Sequence, residues 1–334
     1  MNNGAYSTCA IGQGRVSPRE RACHCTQLFV THHGEVFPCC LRWAVPDMKI
    51  GHINDPDLLD RIKEYSRSCN CEKFNLRKAY PHEDIAIQEL TIELSLQCQG
   101  QCALCCVRAP EWKGSFDLYD SLMKLILLLK PRRILVQGGE VLIQEKSLQW
   151  LEAVKRDYSP VEISCVTNGN VPVSMIPRVE QIFDELKVSF LAFEPETYER
   201  ITCLDLRNAV AFVENLSRRK RMRLLLKYLV TPLGIHEAGL FLEWAIAVCP
   251  EYIFLEDAQT TAYINLETQD RFWNKISSRT GQRVKSVLRA NKERLLRSST
   301  TVRFSTDTLR VLGLSQDWEA LIEELGLRDK LLIY

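Results

Sequence analysis

A surplus of charge of either sign is what this chain most plainly lacks. Its 43 basic and 42 acidic residues leave a formal net charge of +1. No global field therefore draws it to nucleic acid or to an anionic membrane, and neither is expected as a partner. A long apolar run is also missing. The longest, around Leu122 to Leu129, is too short to span a bilayer. The opening residues MNNGAYSTCAIGQGRVSPRERACHC have no basic n-region and no apolar h-region. That excludes a signal peptide and predicts a cytoplasmic protein. Disorder of the whole chain is excluded as well, because 46% of its 334 residues are hydrophobic and 25% charged.

What is abundant is cysteine, with 14 in all. In a reducing compartment these are poor candidates for structural disulfides. Seven precede residue 72: Cys9, Cys23, Cys25, Cys39, Cys40, Cys69 and Cys71. Cys98, Cys102, Cys105 and Cys106 form a tight cluster, whereas Cys165, Cys203 and Cys249 are scattered. Scattered cysteines are usually buried small hydrophobes, and clustered ones more often bind metal.

The chain falls into three regions, with boundaries expected at 1–81, 82–261 and 262–334. The first is rich in Cys, His, Gly, Pro and Asn. It contains a readable hairpin, LFVT and EVFP about a turn at His33-Gly34, and a helix from Asp57 to Ser66. So polar a segment is short of core, and a metal site would explain how it folds. In the second region strand patterns at 89–95, 133–137, 161–167, 186–193, 223–231 and 251–257 alternate with helix patterns. Six strands joined by crossover helices predict an α/β fold with a parallel sheet, curled into a partial (β/α)6 TIM-like barrel. Chemistry in such folds gathers at the C-terminal ends of strands. The third region reads as a small helical and α+β extension. It has a long helix over 265–296 broken at Thr280-Gly281, a strand TVRF and a helix from Asp317 to Glu324.

Directly after the first barrel strand stand Cys98, Cys102 and Cys105, three thiols within eight residues. A closed structural zinc site wants four ligands. A 4Fe–4S cluster held by three thiolates leaves one iron open. Zinc, or cysteines without metal, are the competing readings of the spacing alone. The second strand ends in Gly138-Gly139-Glu140, and the third in Thr167-Asn168-Gly169. Two glycines let backbone approach a ligand closely, and Glu140 adds a carboxylate acceptor.

Together these motifs resemble the radical S-adenosylmethionine superfamily. Its CxxxCxxC loop matches Cys98, Cys102 and Cys105, and its GGE matches Gly138, Gly139 and Glu140. The stretch VSFLAFEPETYERI is similar to the family's fourth-strand segment, with Ser189 at the position that approaches the adenosylmethionine. Val141 replaces a frequent proline, and Leu191 a frequent aspartate. The resemblance covers roughly residues 88 to 260. It implies that Gly138, Gly139, Glu140, Thr167, Asn168 and Ser189 bind S-adenosylmethionine. The implied reaction is reductive cleavage to a 5′-deoxyadenosyl radical that abstracts a substrate hydrogen, with a flavodoxin- or ferredoxin-type electron donor.

GEVFPCC followed by IGHINDPDLLDRIKE looks like the SPASM type of auxiliary-cluster domain, here ahead of the barrel rather than after it. The resemblance implies Cys23, Cys39, Cys69 and Cys71 as ligands of an auxiliary 4Fe–4S cluster, with Cys25 and Cys40 as alternates. A zinc knuckle using His24, His32, His33 or His52 is the competing reading. Relatives of this type modify peptides or small metabolites by oxidation, epimerisation or crosslinking, as in natural-product biosynthesis. The alternatives are an activase or maturase acting on a partner protein, and a non-enzymatic zinc or iron–sulfur module.

Other residues carry weaker signals. Cys203 follows the fourth strand, where a thiol could return a hydrogen atom, although a packed thiol reads as well. Cys106 reads as a buried or spare thiol, and Tyr198 as helix packing. Glu256 and Asp257 end the sixth strand and could face substrate. The basic run from Ser217 to Arg223 could meet a phosphate or form a solvated helix end.

Overall fold

The computed structural model describes residues 27–38, 48–68, 87–102, 105, 107, 109–257 and 278–333. These fall into two compact units, one within 27–97 and 112–165, the other within 98–111 and 166–333.

The first unit is built on strands β1 (Gln27–Val30), β2 (Glu35–Phe37), β3 (Gly51–His52), β4 (Glu89–Glu93), β5 (Arg133–Gln137) and β6 (Glu162–Thr167). Their order is β3-β2-β1-β4-β5-β6. The expected hairpin is present: β1 and β2 pair antiparallel, and Gly34 makes the turn at φ 82°. Its placement could not be read from the sequence. β1 also pairs in parallel with β4, Leu28 opposite Leu90 and Val30 opposite Ile92. Leu28, Phe29, Val30, Val36 and Phe37 are at most 3% exposed. The hairpin therefore gains its core by joining the sheet, which supplies burial that its own polar segment cannot. Helices α1 (Leu58–Ser68), α2 (Tyr119–Leu129) and α3 (Glu145–Asp157) complete this unit.

The second unit carries β7 (Glu185–Phe190), β8 (Arg223–Val230), β9 (Tyr252–Asp257), β10 (Thr301–Phe304) and β11 (Leu331–Ile333), all parallel and in that order. Helix α4 (Ile176–Ile182) precedes β7, α5 (Pro195–Thr202) and α6 (Leu206–Arg219) join β7 to β8, and α7 (Ala238–Val248) joins β8 to β9. One sheet face is wholly apolar: Leu186, Val188, Phe190, Leu226, Tyr228, Ile253, Leu255, Val302 and Phe304 have 0% exposure. The other face is polar and aromatic. Ser189 pairs with Lys227 and Lys227 with Phe254. The Arg303 guanidinium lies 4.5 Å from the Tyr252 ring centre.

Two expectations are corrected. The strand expected over 186–193 stops at Phe190, because the buried Glu237 carboxylate accepts hydrogen bonds from the Phe193 and Glu194 amides and turns the chain there. Of the helix expected over 265–296, residues 265–277 lie outside the described residues; the rest runs unbroken through Thr280-Gly281 over Ser278–Ala290, and the interruption falls at Asn291. Gly281 is not a breaker here. A Cβ on it would stand 2.0 Å from the Leu312 carbonyl oxygen, so it serves a close backbone approach. TVRF forms the expected strand, and β10 and β11 extend the parallel row begun by β7 to β9. Among the described residues, no helix is long and apolar enough to cross a membrane.

Candidate metal and cofactor site

The second unit holds the cysteine loop. Cys98, Cys102 and Cys105 are partly exposed thiols outside any disulfide. The loop is shaped by its own amides: Gly100 N–H donates to Cys98 Sγ at 3.3 Å and Ala109 N–H to Cys105 Sγ at 3.4 Å. Burial pushes the Cys102 thiol up to about 12, helped by the Cys98 and Cys105 thiols beside it and least by Cys203. Three soft donors gathered in one loop, with Cys102 held protonated by its surroundings, suit a centre whose positive charge reverses that effect. The donor set thus fits an iron–sulfur cluster. Among the described residues, no three His, Cys, Asp or Glu side chains already stand as a closed ligand set.

The structure joins this loop to Thr167-Asn168-Gly169. Gln99 Nε2 donates to Asn168 Oδ1 at 3.3 Å and to the Asn170 carbonyl at 3.1 Å. Asn168 Nδ2 points at Cys98 Sγ, 3.9 Å away. Thr167 turns inward, accepting from Gly169 N–H at 3.0 Å, and is 3% exposed. Thr167 therefore shapes the turn, whereas Asn168 faces the loop. Behind the loop lies the end of α5, where Gln101 N–H donates to the Thr202 carbonyl at 2.8 Å. Cys203 follows in a left-handed conformation, φ 58°, with its side chain exposed.

The first unit holds Gly138-Gly139-Glu140 at the end of β5. The two glycines pack backbone on backbone where a Cβ would not fit. A Cβ on Gly139 would stand 2.2 Å from the Gln97 carbonyl oxygen, and one on Gly138, with φ 141°, 2.6 Å from that of Ser95. Gly139 N–H donates to Ser95 O at 2.9 Å and Glu140 N–H to Gln97 O at 2.8 Å. This turn is thereby bound to the segment that enters Cys98. Glu140 is 0% exposed and its Oε1 accepts from Leu142 N–H at 3.0 Å, capping the short helical turn Val141–Ile143. Its carboxylate thus has a structural task in this chain. Glu140→Ala should lower stability by about 1–3 kcal/mol, because a buried amide loses its acceptor. Glu140→Gln keeps an oxygen there and should unfold close to the native midpoint in a thermal melt. A fall in S-adenosylmethionine affinity in the Gln variant, with the midpoint held, would add a cofactor contact to the cap.

Gln144 and Gln99 carry the links around both motifs, and neither stood out in the sequence. Gln99 lies within the cysteine motif at a position that accepts many residue types. Gln144 opens α3 and reaches back 47 and 49 residues, a contact that no local pattern announces.

The remaining candidates fall into place. Ser189 sits on the polar face of β7, partly exposed and in register with Lys227. Glu256 forms an ion pair with Lys227. Tyr198 is fully buried, as packing requires. The heads of the basic run are engaged by carboxylates: Arg218 by Glu214, Arg219 and Arg221 by Glu180, and Arg223 by Glu185. That favours the solvated helix end over a phosphate site. Of the zinc-knuckle histidines, His32 lies 2.9 Å from Glu93 and His52 Nε2 2.9 Å from the His33 carbonyl oxygen. Cys23, Cys39, Cys69 and Cys71, with Cys25, Cys40, Cys106 and His24, lie outside the described residues.

Known proteins agree with this reading. Residues 23–83 match the SPASM family, an iron–sulfur cluster-binding domain. A probable GTP 3′,8-cyclase of Thermococcus kodakarensis is 26% identical over 124 residues, 36% of this chain and 40% of that protein. Streptococcus suis SuiB bound to precursor peptide SuiA superposes with a TM-score of 0.52 at 12% identity, over 79% of this chain and 58% of SuiB. SuiB bound to S-adenosylmethionine gives 0.51 at 11% identity, over 74% and 55%. The chain thus spans less than two thirds of each of these relatives. The α/β fold with its parallel sheet is that of the radical S-adenosylmethionine partial TIM barrels. With the SPASM match over residues 23–83 and the cyclase relative, the chain resembles the radical S-adenosylmethionine enzymes, with the SPASM-type match lying ahead of the barrel strands. The cofactors that go with this family are 4Fe–4S clusters and S-adenosylmethionine.

Proposed function

We propose that this protein modifies a peptide by radical chemistry, abstracting a hydrogen atom from it and leaving it oxidised, epimerised or crosslinked. The observation that carries the reading is the three-thiol loop at the end of β4, stitched by Gln99 to the Asn168 turn. Cys98, Cys102 and Cys105 would hold the first cluster. Gly138, Gly139, Glu140, Asn168 and Ser189 would border S-adenosylmethionine, with Thr167 shaping the turn that carries Asn168. Bound there, cluster and cofactor supply the 5′-deoxyadenosyl radical. The chain's own residues orient the cofactor and keep water and oxygen from it. SuiB, which shares the fold, was solved with a precursor peptide, and this favours a peptide over a small metabolite. We assign residues 1–81 to the auxiliary-cluster domain, 82–261 to the barrel and 262–334 to the extension. Cys23, Cys39, Cys69 and Cys71 are assigned to the second cluster. Cys203 borders the cysteine loop through Thr202 and is the candidate hydrogen-atom donor if the product is an epimer.

The test removes the second cluster alone. Cys39→Ala with Cys69→Ala should leave cofactor cleavage measurable and stop substrate turnover. Deuterium passing from labelled substrate to 5′-deoxyadenosine without product would mark an oxidation that needs the second cluster as electron acceptor. Loss of that transfer would mean that the cluster holds substrate. Circular dichroism checks the fold, since metal and folding are coupled in such domains. Full product formation by a folded double variant would remove this cluster from the reaction.

A further inference from the structure

We infer that Gln144 is a positioning residue for S-adenosylmethionine, acting through the backbone of Ser95 and Gln97. This rests on the reading that the chain binds that cofactor. Gln144 is 5% exposed, and its amide group donates to two carbonyls at once, Gln97 O at 3.0 Å and Ser95 O at 3.2 Å. These same oxygens receive Glu140 N–H and Gly139 N–H from the other side. Each carbonyl is therefore held by one donor from the GGE turn and one from the head of α3. The next residue after Gln97 is Cys98, the first thiol of the loop. The spacing between GGE turn and loop entry is thus set by four hydrogen bonds, two of them made by one side chain.

The amide is itself fixed. Ser147 Oγ–H donates to Gln144 Oε1 at 2.8 Å, and the Tyr119 hydroxyl lies 3.0 Å from Ser147 Oγ. Ser147 is 0% exposed. This settles which end of the Gln144 amide faces the carbonyls, since Oε1 must accept while Nε2 donates. A methionine of similar length fills the space but donates nothing. A glutamate presents a second oxygen to two carbonyl oxygens and repels them unless it is protonated.

The experiment uses the reconstituted full chain and compares Gln144→Met with Gln144→Glu. Cofactor cleavage is followed as 5′-deoxyadenosine formed without substrate, together with iron content and the change in the cluster's EPR signal on adding S-adenosylmethionine. Gln144→Met should keep native iron content, raise the KM for S-adenosylmethionine about tenfold, as two hydrogen bonds to one segment imply, and change kcat far less. Gln144→Glu should be worse at about pH 8 and move toward the Met variant near pH 6, because a protonated carboxyl donates one hydrogen bond. If Gln144→Met does not fold, Ser147→Ala, which frees only the far end of the amide, should give a smaller rise in KM. A native KM in the folded variants overturns the inference. So does an equal, pH-independent loss in both Gln144 variants, which would mark mere packing. Failure of the unaltered protein to make any 5′-deoxyadenosine would instead sink the parent reading of the site.

Discussion

Replacing Cys98, Cys102 and Cys105 together by alanine should abolish formation of 5′-deoxyadenosine and methionine altogether. Iron in the reconstituted protein should fall from about eight to about four per chain, because one 4Fe–4S cluster is lost and the other kept. The loss should be complete because these three thiols are the proposed ligands of the cluster at which the cofactor is cleaved. Iron analysis and chromatography of the products check both halves. Retained cleavage in the triple variant would move the chemistry to the N-terminal cysteines. Stoichiometric zinc with no second cluster signal in the native protein would sink the auxiliary-cluster assignment.

The second large effect is expected at Gly139. A Cβ there would lie 2.2 Å from the Gln97 carbonyl oxygen and 2.5 Å from both the carbonyl carbon and oxygen of Leu96. All three are backbone atoms, so no side chain can rotate away. The strand ends must separate, and the Gly139–Ser95 and Glu140–Gln97 hydrogen bonds go with them. Gly139→Ala should cost about 3–5 kcal/mol, the upper range for a single substitution. A matched control is Gly326, which closes the helix Trp318–Leu325 at φ 65° with nothing within 4 Å of an added Cβ. Gly326→Ala should cost only about 1 kcal/mol, the strain of a left-handed alanine. Chemical denaturation of the two variants side by side measures the difference. Equal midpoints would show that the Gly138-Gly139 turn yields easily.

Much of the frame was legible because local pattern and long-range packing agree there. RILVQ and TVRF occupy the observed strands residue for residue, since each carries alternating buried side chains. The three cofactor motifs were visible because each is short, contiguous and placed at a strand's end. Leu331–Ile333 was not visible, since three residues show no period.

The sequence by itself determined the kind of chemistry: which thiols share a loop, where the glycine pair falls, and that strands alternate with helices. Those properties reside within a few consecutive residues. Only the tertiary structure decided what the motifs touch. It made Gly138-Gly139 a backbone junction, gave Glu140 a capping role and brought Gln144 onto Ser95 and Gln97. It also laid β1 along β4 and ran a helix straight through Gly281. Each of these depends on partners tens of residues away. A hydrogen bond or a close approach between distant segments leaves no period in either of them.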